Sequence, residues 1–141
     1  MTPDQTALVE SSFRHLAPVG EAAAGLFYRT LFLLDPSLAP MFDRSDLHQQ
    51  GRKLMAALGF VVGNLRRPEA MLPAIAELGR RHVGYGVRPE HYDIVGAALL
   101  ATLEEGLGDV FTPATRDAWA AAYRLVAEAM QRAGEARAEA A

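Results

Sequence analysis

Proline and glycine cut this chain into short segments, and within each segment the apolar residues recur at steps of three and four. Eight prolines and twelve glycines supply the cuts. Nowhere does an alternating apolar–polar pattern persist, and β-branched runs are short. A chain so punctuated has one economical solution, a bundle of about seven short helices with their apolar stripes turned inward. An all-α fold is therefore predicted. At 141 residues it is long enough for a single core that needs no staple.

The starts and stops are explicit. Thr2-Pro3-Asp4-Gln5 reads as a capping box with proline at the first helical position. Leu8, Val9, Phe13 and Leu16 then form one face. Ala17-Pro18-Val19-Gly20 closes that helix. A second runs from about Glu21 to Leu34, before Asp35-Pro36, and Pro36 to Phe42 is a short proline-bounded turn. After a loop at Asp43–Asp46, with Asp46 as the expected cap, comes a stripe of Leu47, Gln50/Gly51, Leu54, Leu58, Val61 and Leu65. Asn64 to Pro68 breaks the chain. The next stripe is Met71, Ile75, Leu78 and His82, ended by the corner Val83-Gly84-Tyr85-Gly86-Val87-Arg88-Pro89. Pro89 opens a helix to about Leu107. Thr112-Pro113-Ala114-Thr115 starts the last one, which carries Trp119, Tyr123, Val126 and Met130. The domain is expected to span 1–133, with 134–141 a frayed tail.

Two polar residues interrupt the apolar stripes, Gln50 and His82. A buried polar group is costly without a partner, so each is either a satisfied core residue or a functional one. The other histidines are weaker candidates: His15 beside Arg14, His48 two residues before Gln50, and His91 at a helix start. No two histidines stand three or four apart, as a tetrahedral zinc site or a di-iron bundle would need. The absence of cysteine removes disulfides, thiolate metal sites, iron–sulfur clusters and C-x-x-C-H haem attachment. Neither a G-x-S-x-G nor a phosphate-binding glycine loop is present. A formal charge of −3 argues against a nucleic-acid partner. The longest apolar run, Met55 to Val62, is far too short to cross a membrane, and the first residues lack the features of a secretion signal. A cytoplasmic protein is expected. A helical chain with one inward histidine and no second ligand suits a cofactor that brings its own four nitrogens, as haem does.

Several runs carry a resemblance. Leu26-Phe27-Tyr28-Arg29-Thr30-Leu31-Phe32-Leu33-Leu34-Asp35-Pro36, Pro40-Met41-Phe42, Leu78-Gly79-Arg80-Arg81-His82 with Gly86-Val87, His91-Tyr92-Asp93-Ile94-Val95-Gly96, and Phe111 to Trp119 occur in order and at matching intervals. Over roughly Pro3 to Met130 the chain resembles the single-domain bacterial globins. It is close to the haem domain of flavohaemoglobins and similar to vertebrate neuroglobin.

That resemblance implies a globin fold whose helices sandwich one b-type haem. It places His82 at the proximal iron ligand, Phe42 on the haem face, and Leu78 and Val87 among proximal contacts. Gln50 falls at the distal position with Leu54 as its apolar neighbour. Tyr28 falls on the distal tyrosine that donates a hydrogen bond to O2. Its alternative is a core tyrosine whose hydroxyl reaches only backbone. Gln50 either donates from its amide or orients the Tyr28 hydroxyl with its side-chain carbonyl. Lys53 and Arg81 are placed to meet haem propionates, with ordinary solvated charge as the equal alternative. Gly51, with Ala24 or Gly25, matches a close helix crossing. Tyr92 matches a tyrosine that pairs with a glutamate near the proximal histidine in flavohaemoglobins. Here the glutamate position is Gly134, with Glu135 about 100° further round the helix, and the strong electronic push of an anionic histidine loses its support. The implied function is reversible binding of O2, NO or CO at five-coordinate iron, for O2 transport, storage or scavenging. The alternative is a nitric oxide dioxygenase served by an external reductase.

Overall fold

A computed structural model of the chain describes residues 1–42 and 46–140, with side chains as far as Ala136. The α-helices are α1 (Pro3–Leu16), α2 (Gly20–Leu34), α3 (Leu47–Gly63), α4 (Pro68–Gly84), α5 (Pro89–Leu107) and α6 (Pro113–Ala140). Tight 3₁₀ turns at Ala17–Val19, Pro36–Met41 and Gly108–Val110 join some of them, and there is no strand among the described residues.

The helix ends obey local chemistry. At α1, Thr2 Oγ1 accepts from Gln5 N–H at 3.1 Å, and Gln5 Oε1 accepts from Thr2 N–H at 3.0 Å. The predicted capping box is therefore formed. At α6, Thr112 Oγ1 accepts from Thr115 N–H at 3.2 Å. Asp46 stands at the start of α3, but its side chain caps nothing. The rest of the expected loop, 43–45, lies outside the described residues. Gly108 has φ +56°, a conformation that disfavours any side chain, which explains the stop after α5. α6 continues to Ala140, and within it Gly134 is buried against Val83.

The core is aliphatic, with Val9, Leu16, Leu31, Met71 and Leu103 essentially without solvent contact. Each such side chain contributes about 1.5–3 kcal/mol of apolar burial. α1 packs on α6, where Trp119 Nε1–H donates to Ser12 Oγ at 2.8 Å and the Ser12 hydroxyl donates to Leu8 O at 2.7 Å. α2 lies across α5 and crosses α3 closely. A Cβ on Gly51 would stand 3.0 Å from Ala24 Cβ, whereas Gly25 has nothing within 4 Å, so Ala24 is the partner at that crossing. α4 rests chiefly on α6. A Cβ at Gly79 would fall 2.2 Å from Met130 O, so the two backbones touch. α3 and α4 follow one another in sequence yet do not pack closely together.

Candidate functional site

The spacing between α3 and α4 leaves both inner stripes incompletely covered. Along α3, Gln50, Leu54, Leu58 and Val61 are half-buried. On the other side of the molecule's middle, Leu78, His82 and Val87 are half-buried as well, as is Phe42 at the end of its 3₁₀ turn. Apolar stripes normally close on each other. Gln50 on α3 and His82 on α4 are the polar members of these two half-buried stripes.

His82 is held firmly. Its Nδ1 lies 2.7 Å from Leu78 O, one turn earlier on α4. A carbonyl only accepts, so Nδ1 carries the proton and Nε2 keeps its lone pair. Burial pushes the imidazole's pKa down, against a smaller upward pull from the Leu78 carbonyl, and so favours the neutral ring. The helix end is fixed by the corner that follows it. Val87 N–H donates to His82 O at 3.0 Å, and this return is possible because Gly86 adopts φ +87°. The exposed ring of Tyr85 stands 6.0 Å from the imidazole, centroid to centroid.

Tyr28 is buried on α2, within an aromatic cluster. Its ring lies 5.1 Å from Phe27, 5.5 Å from Phe42 and 6.2 Å from Phe32, measured between centroids. Its hydroxyl donates to the main-chain carbonyl of Gln50 at 3.2 Å. The link between Tyr28 and Gln50 is thus real, but it runs through backbone rather than through the Gln50 amide. This is the backbone-bound tyrosine that the sequence left open. Burial pushes the phenol up to about 12, which keeps it a neutral donor.

The remaining candidates divide. Arg81 is exposed and Nε lies 3.6 Å from Glu77 on its own helix, while Lys53 is exposed on α3. Tyr92 is half-buried. Its carbonyl accepts the Tyr123 hydroxyl at 2.6 Å, and the Tyr123 ring packs where a Gly96 Cβ would be 2.8 Å away. Gly134 cannot host a larger side chain without displacement, since even a Cβ would meet Val83 Cγ2 at 2.7 Å. His91 is 5% exposed, and its Nδ1 accepts Arg88 N–H at 3.0 Å, a cap for α5. His48 lies 3.2 Å from Glu21 on the surface. Sequence reasoning assigned no role to Gly79 or Tyr85 and gave Tyr123 only a place on a helix stripe. Gly79 carried a local signal, a glycine inside an apolar stripe.

No group of three metal-ligating side chains occurs among the described residues. His82 presents one imidazole whose Nε2 keeps its lone pair. A large cavity of about 1030 Å³ also exists, but it lies between α1, α2 and α3, away from His82. The histidine's hydrogen bonding and the half-buried apolar lining locate the candidate site better than that volume does.

The fold is all-helical, and the sequence model described as Globin matches residues 25–130. The chain belongs to the globin family of haem-binding proteins. It is similar to a flavohemoprotein of Deinococcus radiodurans, 35% identical over 132 residues, covering 92% of this chain and 33% of that one. A flavohemoprotein of Bordetella parapertussis is 36% identical over 130 residues, covering 91% and 32%. The chain thus spans about a third of the length of these relatives. The solved structure of a bacterial globin from Campylobacter jejuni superposes with TM-score 0.88 at 28% identity, covering 98% of this chain and 99% of that one.

Proposed function

We propose that this globin holds one haem b through His82 and reversibly binds small diatomic gases, O2, NO and CO, in the cytoplasm. The observation that carries the reading is the 2.7 Å bond from His82 Nδ1 to Leu78 O. It fixes the tautomer and the ring plane, so that Nε2 is the free donor atom. A hydrogen bond from the other ring nitrogen is how proteins orient a ligating histidine. Phe42, Leu54, Leu78 and Val87 would supply the apolar faces, with Tyr92 beside the proximal side. Lys53 and Arg81 would meet the propionates, Arg81 by exchanging its exposed Glu77 partner. When bound, the cofactor would supply an iron able to take a small gas.

The distal residues of this chain have definable tasks. Tyr28 has one hydroxyl proton, and Gln50 O already accepts it. A gas bearing partial negative charge competes for that proton, and a nonpolar one does not. The Gln50 amide would offer a second donor. Leu54 keeps the space apolar and excludes water. The test is direct. Reduced protein should show a haem spectrum that shifts with O2 and with CO and returns when the gas is removed. Protein purified without a haem absorption band after supplementation would contradict the proposal.

The relatives favour a second reading. Their name couples a flavin to a haem, and the aligned third is the globin part. A nitric oxide dioxygenase would take its electrons from an external reductase. NO consumption by the oxygenated protein, with and without such a reductase, separates catalysis from simple binding. Gly134 stands where the flavohaemoglobin resemblance puts the proximal glutamate, so this chain offers no carboxylate at that position, and this favours ligand binding over bond-breaking chemistry.

A further inference from the structure

The readily oxidised rings of this chain are four tyrosines and one tryptophan. All but one are covered or engaged. Trp119 is 3% exposed and gives its N–H to Ser12. Tyr28 and Tyr123 give their hydroxyl protons to main-chain carbonyls, and Tyr92 is half-buried. Tyr85 differs on each count. It is 66% exposed, and its hydroxyl has no partner among the described residues. Its ring nevertheless stands 6.0 Å from that of His82, inclined by 54°, and its N–H donates to His82 O at 3.1 Å. A ring contact and a hydrogen bond thus join a solvent-facing phenol to the imidazole. The corner is also open. Gly84 and Gly86 flank Tyr85, both are exposed, and a Cβ at Gly86 would meet nothing within 4 Å. The neighbouring charges are balanced, Arg88 by Glu90 at 3.2 Å and Arg81 by Glu77 at 3.6 Å, so two such corners approach one another without repulsion.

Haem carries one-electron chemistry, and the protein decides where the electrons come from. Electron transfer falls steeply with distance, and a phenol yields its electron readily only when its proton leaves too. At Tyr85 both conditions hold, since the ring is close to His82 and water can take the proton. We propose that Tyr85 is an oxidative modification site, where hydrogen peroxide acting through the haem joins two copies of the chain by a dityrosine bond. This rests on the haem reading of His82. The oxidant is hydrogen peroxide, which takes up two electrons and two protons, breaks its O–O bond and leaves as two waters. Tyr85 of each of two copies gives one electron and its hydroxyl proton. The two phenoxyl rings then form one carbon–carbon bond between positions ortho to oxygen, and the displaced ring hydrogens return to the oxygens. Oxidising equivalents are thereby discharged at the surface rather than in the core at Trp119.

Treatment of the haem-supplemented full chain with hydrogen peroxide tests this, read by dityrosine fluorescence and by chain mass under denaturing conditions. A covalent dimer is expected, absent from haem-free protein given the same peroxide. The chain has no cysteine, so such a dimer is not a disulfide. Methionine oxidation adds oxygen without joining chains. Tyr85→Phe keeps a ring beside His82 and removes the phenol. Its ferrous spectrum should match wild type, while the dimer and its fluorescence are lost. Tandem mass spectrometry of the wild-type dimer should place the bond at Tyr85. Haem-loaded wild type that forms no dimer overturns the proposal and leaves the haem reading standing, whereas protein without a haem band overturns both. A bond mapped to another tyrosine, a dimer that persists in Tyr85→Phe, or an equal yield without haem overturns the proposal alone.

Discussion

Tyr28 has a single proton to give, and in this structure the Gln50 main-chain carbonyl receives it. A gas must win that proton away, so its net gain falls at the low end of hydrogen bonds to charged acceptors, about 1.5 kcal/mol. Tyr28→Phe should therefore speed O2 dissociation about tenfold and leave CO dissociation nearly unchanged, measured by stopped-flow exchange. Equal acceleration for both gases would mean that the hydroxyl never reaches the ligand. Because the acceptor is backbone, Gln50→Leu leaves it in place. The two distal losses should then add in a double-mutant cycle, whereas a shared side-chain link would make them couple. The same burial has a second consequence. Tyr28 and Tyr123 both hold their protons above the ordinary value of 10.0, Tyr28 up to about 12, chiefly through burial. The unfolded chain releases those protons first, so their contribution is complete below pH 10.0 and is lost as pH rises toward 12. Phenolate absorbance during alkaline titration should show a late phase that shrinks in Tyr28→Phe, and the urea midpoint should fall across that window. A single phase at the ordinary tyrosine value would show the phenols to be solvated.

At the scale of the helix, glycine marks where backbones meet, and its role differs from site to site. Gly79→Ala puts a Cβ against the main chain of Met130, which cannot yield as a side chain would. It should destabilise by about 1–3 kcal/mol or more through overpacking. It should also loosen haem, since α4 must lift away from α6 with His82 on its last turn. Gly25→Ala meets nothing and gains helix propensity, so it should stabilise by about 0.5–1 kcal/mol. Urea unfolding of the pair checks both signs, and a Gly79→Ala midpoint equal to wild type would refute the close contact. These differences show what was legible in the chain. The caps at Thr2 and Thr112, the break at Pro68 and the stripe ending in His82 are local signals, so spacing revealed them. The crossing at Ala24 and Gly51 was readable through the resemblance. The Gly79–Met130 approach and the course of α6 past 133 depend on which faces meet across more than fifty residues, and no local pattern encodes that. For the same reason the destination of the Tyr28 hydroxyl was left open between ligand, amide and backbone.

For the whole molecule, a firm frame surrounds a loosely covered centre. α1, α6, α4 and α5 bury the aliphatic core and the Trp119–Ser12 bond, whereas α3 and α4 do not pack closely on each other. A ligand that binds the folded chain alone stabilises it in proportion to its affinity, so haem should raise the unfolding midpoint, and most steeply for contacts of α3. On the outer surface, Arg66 grips Glu10 in a two-pronged bond, Nη2 to Oε1 at 2.7 Å and Nε to Oε2 at 3.1 Å, tying the end of α3's loop to α1. That pair holds the Glu10 carboxyl below its usual 4.5, so its contribution is present above that pH and disappears as pH falls through the lowered value. All of this turns on one atom, Nε2 of His82. The decisive measurement is the absorption spectrum of haem-supplemented His82→Gly, recorded with and without added imidazole. A globin anchored through His82 predicts loss of the wild-type ferrous spectrum and of most haem retention, with imidazole restoring the spectrum by occupying the space of the missing ring. Full haem occupancy and an unchanged ferrous spectrum in the variant without imidazole would contradict it.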